Sequence, residues 1–186
     1  MDIEGFYSPA SGTEAPLEML AACHTRVERQ CRTLRRLVPH LATAGVDDEA
    51  RTAARAVIRY FDTAAVHHHE DEERDLFPAL IESMAGSDAV CLHEITQALC
   101  ADHRALEVRW KALREKLMTL CDTSNDGPGG SGELGADEVE SFAVAYEKHI
   151  EREESELLPM AARLLDEAAI DRIGRAMRER RGIGEV

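Results

Sequence analysis

The sequence predicts an all-α chain folded as an up-down-up-down four-helix bundle with a short C-terminal helix. Three observations carry this reading. Four long segments repeat apolar residues at steps of three and four, and breaks rich in Gly, Ser and Asp separate them. The composition holds only 4% aromatics against abundant Ala, Leu, Glu and Arg. No segment alternates at period two, so no strand competes.

The first helix is expected from about Pro16 to His40, with Pro16 in the first turn and Ser11 or Thr13 upstream as caps. Its stripe reads Leu17, Leu20, His24, Val27, Cys31, Leu34, Val38 and Leu41. After a break at 44–48, the second runs from about Asp48 to Met84 through Val57, Phe61, Ala64, His68, Glu72, Leu76 and Ala79. A turn at 85–88 offers Ser87 or Asp88 as cap for the third helix. That helix reads Leu92, Ile95, Leu99, His103, Leu106, Trp110, Leu113, Leu117 and Leu120. Residues 123–135 form a flexible Gly-rich linker. The fourth helix starts near Asp137 and reads Val139, Phe142, Tyr146, His149, Glu153, Leu157, Met160 and Leu164. A shorter helix spans about Asp166 to Arg180, its basic end suiting a helix C-terminus. Residues 1–15 read as an N-terminal extension and 16–186 as one bundle domain.

Composition excludes several classes. A net charge of −14 repels nucleic acid and anionic lipid, so neither is an expected partner. No apolar run is long enough to span a bilayer, and the N-terminus lacks the basic and apolar regions of a signal peptide. The five cysteines form no C-x-x-C pair, which argues against a disulfide framework and for a reducing, cytoplasmic setting. Nothing in the sequence names a protein partner.

Of eight histidines, His24, His68, His103 and His149 each sit on the stripe of their own helix. His40, His67, His69 and His93 fall off the stripes and are expected to face solvent. Counting from the short connections puts His24, His68 and His103 at similar heights, given the rise per residue of a helix. Each inward histidine has a glutamate four residues later: Glu28, Glu72, Glu107 and Glu153. That spacing brings imidazole and carboxylate to one helix face. Two pairs belong to one phrase written twice, His68-x-x-x-Glu72-Glu73-x-x-Leu76-Phe77-Pro78 and His149-x-x-x-Glu153-Glu154-x-x-Leu157-Leu158-Pro159. Glu72 and Glu153 lie on their stripes. Glu28 and Glu107 lie at a stripe edge, as additional ligands, supporting carboxylates or half-exposed charges, and Tyr146 either bonds a ligand or packs. An alternative register, His69 with Glu73, leaves Phe61 and Leu76 less central and is set aside. Imidazole with carboxylate suits iron or manganese, and zinc less exclusively. The plain alternative is a hydrogen-bonded polar core, but burying so many unpartnered imidazoles and carboxylates costs several kcal/mol per group, and a metal pair removes that cost.

At these residues the chain resembles the hemerythrin-like, or HHE cation-binding, superfamily over about residues 15–165. The resemblance implies a non-haem di-iron centre, with Glu72 and Glu153 as bridges and His24, His68, His103 and His149 completing the irons; manganese and zinc are substitutes. Invertebrate oxygen carriers of this family use a fifth histidine on helix three, and steps of four from His103 find Leu99 and Glu107 instead. The four-histidine, two-glutamate set looks more like bacterial di-iron members implicated in repairing iron centres, although their Cys-containing N-terminal domain has no counterpart here.

Three functions follow as expectations. The first is a protein that binds or senses O2, NO or a peroxide at the metal pair. The second is a di-iron enzyme acting on peroxide or nitric oxide, and the third an iron-handling or iron-centre repair protein. A ferritin-like oxidase would place glutamate first, at a step of three. A structural zinc site closes with four ligands, and six are on offer here.

Overall fold

The structure, a computed structural model, describes residues 15–84, 88–122 and 134–183. The extension at 1–14, the caps assigned to Ser11, Thr13 and Ser87, and the linker up to residue 133 lie outside the described residues. Helix α1 is Pro16–Ala44. Helix α2 covers residues 48–83, in the segments Asp48–Asp62, Ala64–Asp71, Glu72–Leu76 and Phe77–Ser83. Helix α3 is Asp88–Asp122. Helix α4 covers residues 136–164, in the segments Ala136–Arg152, Glu153–Leu157 and Leu158–Leu164. Helix α5 is Glu167–Arg180. No strand occurs among the described residues, and no helix there is long and apolar enough to cross a membrane.

Local chemistry sets the ends. Helix α1 runs on past the expected His40, taking Pro39 inside it, and stops at Gly45, whose positive φ of 78° favours glycine. Asp47 and Asp166 cap α2 and α5, accepting from Ala50 N and Ala169 N at 2.8 Å. Thr63 interrupts α2, its hydroxyl donating back to Arg59 O at 2.6 Å.

Helix α1 packs beside α2 and α4, and α3 beside the same two, so α2 and α4 are diagonal. The interior divides into two apolar clusters. One contains Val27, Leu34, Phe61, Leu106, Trp110, Phe142 and Tyr146. The other contains Leu20, Leu76, Leu80, Leu99, Leu157 and Ala161, closed by Ile173 and Met177 of α5. Between Leu20 and Val27, Leu99 and Leu106, Ala65 and Leu76, and Tyr146 and Leu157 lies one polar layer, which holds all four stripe histidines.

Each copy of the doubled phrase contains a π-turn, Glu72–Leu76 in α2 and Glu153–Leu157 in α4. In them Phe77 N donates to Glu72 O and Leu158 N to Glu153 O. The stripes explain the turns. Buried positions run His68, Glu72, Leu76, Leu80 in one helix and His149, Glu153, Leu157, Ala161 in the other, all at steps of four. In an α-helix each such step drifts by about 40°, and the wider π-turn absorbs the drift. Pro78 and Pro159 come two residues after the turns end; lacking an N–H, they would leave an α-helical carbonyl unpaired in any case.

Candidate metal centre

Each helix delivers one imidazole to the polar layer: His24 from α1, His68 from α2, His103 from α3 and His149 from α4, all nearly inaccessible to solvent. Glu72 and Glu153 come from opposite corners and are fully buried. The six converge. His24 Nε2 lies 3.0 Å from Glu153 Oε2, His149 Nε2 3.1 Å from Glu153 Oε1, and His103 Nε2 3.3 Å from Glu72 Oε2. His68 Nε2 is 3.5 Å from Glu72 Oε1. Two four-residue groups result, one of His24, His68, Glu72 and Glu153, the other of Glu72, His103, His149 and Glu153. Both carboxylates belong to both groups.

The doublet Glu-Glu in each phrase has a division of labour. The first glutamate enters the centre; the second reaches a histidine of a neighbouring helix from outside. His103 Nδ1 donates to Glu73 Oε1 at 2.7 Å, and His24 Nδ1 to Glu154 Oε1 at 3.0 Å. A carboxylate only accepts, so each Nδ1 carries the proton and, in the neutral ring, Nε2 turns a bare lone pair to the centre. Asp102 stands 3.8 Å from His149 Nδ1 while accepting from Arg152 at 2.7 Å.

Despite these short separations, His24 Nε2 and all four oxygens of Glu72 and Glu153 are enclosed and make no hydrogen bond. Their ligand atoms gather within 4.8 Å of one another in each group, close enough to share a cation. The electrostatics agree. Burial, then the charge of Glu153, pushes the Glu72 carboxyl up. Burial would also raise Glu153, but the imidazoles of His103, His149 and His24 outweigh it and hold it well below the carboxylate range. Burial would depress His103, yet Glu153 and Glu72 raise it. Burial drives His68 well down, towards the neutral form a metal needs. Two buried carboxylates beside four imidazoles are thus a strained arrangement that cations relieve, and the donor set fits two of them.

Glu28 and Glu107 do not reach the centre. They are 46% and 61% exposed and lie 3.9 Å from Arg32 and 2.7 Å from Lys111. The stripe decides this: after His24 and His103 the next buried positions are Val27 and Leu106, three residues on, so a glutamate at four is rotated outward. Tyr146 packs, buried among Phe61, Phe142 and the ring of His69.

One histidine corrects the sequence reading. His69, expected to face solvent, turns inward: its ring stacks on His103 at 3.9 Å and 13°, and its Nε2 is enclosed without a partner. A position one residue past the stripe is rotated by about 100° in a regular helix, but the inward arc of a helix wedged between two neighbours is broad enough to admit it. The signal was the set-aside register, since His69 and Glu73, four apart, both line the layer.

An all-α bundle enclosing a His/Glu cluster able to hold two cations is the class that fold and site define. The chain belongs to the hemerythrin HHE cation-binding domain family, whose model matches residues 15–161. It is also 31% identical over 170 residues to a Haemophilus influenzae protein described as uncharacterised, a match covering 91% of this chain and 92% of that one.

Proposed function

We propose that the chain is a non-haem di-iron protein that binds or senses O2, NO or a peroxide at its metal pair. His24 and His68 would hold one iron, His103 and His149 the other, and Glu72 and Glu153 would span both. The single observation that carries this reading is that both enclosed carboxylates belong to both donor groups. Mixed imidazole and carboxylate donors suit iron, with manganese or zinc as substitutes. Bound there, an iron pair supplies a redox-active position for a small ligand. Two imidazoles and two carboxylates per metal fall short of six-fold coordination and leave room for it.

The protein's own residues govern access. The ligands are almost wholly enclosed, which excludes anything bulkier than a small molecule. Two clefts approach from either flank of α3. One, of about 350 Å³, reaches His149 past Asp102, Lys148 and Arg152. The other, of about 510 Å³, reaches Glu73 past Cys100 and Arg104. Glu73 and Glu154 fix the rings of His103 and His24 by their Nδ1 protons, so the Nε2 faces stay aimed. The described cysteines are free, which suits a cytoplasmic protein.

The test is metal content and optical spectrum of protein from iron-supplemented cells, beside a His68→Ala/His149→Ala variant. Two irons per chain, with near-ultraviolet bands lost in the variant, are expected. Equal metal in both, after iron reconstitution, would overturn the reading. Titration with azide, NO and peroxide then separates a binder, which saturates, from an enzyme, which turns over.

A further inference from the structure

We infer that His69 is a further ligand, giving the metal beside His103 and His149 three imidazoles and its neighbour two. The inference rests on the metal pair proposed above and adds a residue outside the doubled phrase's own pattern. The ligand atoms of His69, His103 and His149 lie within 4.8 Å of one another, forming a third candidate cation group.

Consecutive residues of α2 divide between the two halves of the layer. His68 turns to α1, its ring 5.0 Å from that of His24. His69 turns to α3 and α4, flat against His103 at 3.9 Å and edge-on to His149 at 5.9 Å. Adjacent helical positions diverge by about 100°, which is what one residue per metal requires. Enclosed and unbonded, His69 Nε2 loses its hydrogen bond to water without a replacement, unless it meets a cation. Parallel rings do not face one point, so binding requires His69 to fan away from His103. The residue is only partly buried, unlike the other four.

Cobalt-loaded, histidine-labelled protein is the test, because each ligating ring gives a strongly shifted N–H resonance. Wild type is expected to display five such signals and His69→Phe four, with the second cobalt ion bound about tenfold or more weakly in the variant. Phenylalanine keeps the stack on His103, and circular dichroism checks that the helices persist. Four signals in wild type would overturn the inference even if the variant failed to fold. So would a folded variant that loses neither signal nor affinity; His69 would then be a stacked core residue. If wild type takes up neither cobalt nor iron, the metal-pair reading fails as well.

Discussion

A glutamate four residues after a histidine has three different fates in this chain. Glu72 and Glu153 enter the metal layer, Glu28 and Glu107 face solvent, and Glu73, four after His69, grips a neighbouring helix's imidazole. The next buried step separates the first two fates: four residues keeps the carboxylate inside, three expels it. This predicts contrasting mutants. Glu73→Ala or Glu154→Ala removes the acceptor that orients His103 or His24 and should weaken metal binding roughly 10- to 100-fold, measured by competition with a chelator. Glu28→Ala and Glu107→Ala should leave affinity unchanged and alter stability by less than about 0.5 kcal/mol. A comparable loss of affinity in all four would sink the assignment of the outer pair to the surface.

At the scale of elements, the repeated phrase builds one device twice. Histidine and glutamate face inward, a π-turn begins at the glutamate, and a proline follows the turn. Helix α5 braces the α2 copy. Asp71, fully buried and adjacent to Glu72, pairs with Arg180 and Arg181, and Asp75 accepts from Arg180 at 2.7 Å. Burial, the largest influence, holds the Asp71 carboxyl above its usual range despite two guanidiniums. The net gain from the clasp is therefore small, while breaking it is costly, because two largely buried arginines lose a carboxylate, leaving Arg180 with Asp75 and Arg181 with the Met177 carbonyl. Asp71→Ala should destabilise the protein by about 3 kcal/mol, read from urea unfolding. A loss below about 0.5 kcal/mol would mean that the Asp71 pairs do not hold α5 in place.

At the scale of the molecule, a layer of buried ionisable groups separates two apolar cores. Six buried ionisable groups without cations penalise the fold, and any metal that binds only the folded state offsets that penalty. With free metal at a hundredfold over Kd, each site adds roughly 3 kcal/mol. Chelation should therefore lower Tm by roughly 5–10 °C per site, followed by differential scanning calorimetry. An unchanged Tm after verified metal removal would contradict the coupling of site to fold.

The short connections gave the diagonal placement of α2 and α4 and the common height of His24, His68 and His103, while the height of His149 came only from the packed bundle. Periodicity determined the helices and the inward turn of His24, His68, Glu72, His103, His149 and Glu153. That turn depends on which face of a helix a residue occupies, and a run of apolar residues at steps of three and four encodes that face locally. The tertiary structure decided the roles of His69, Glu73 and Glu154. Their partners lie on other helices, His103 for the first two and His24 for the third. Whether a side chain one position off a stripe meets solvent or a neighbour's ring depends on how closely the adjoining helices wrap around it, and that is a property of the packed bundle rather than of any one segment.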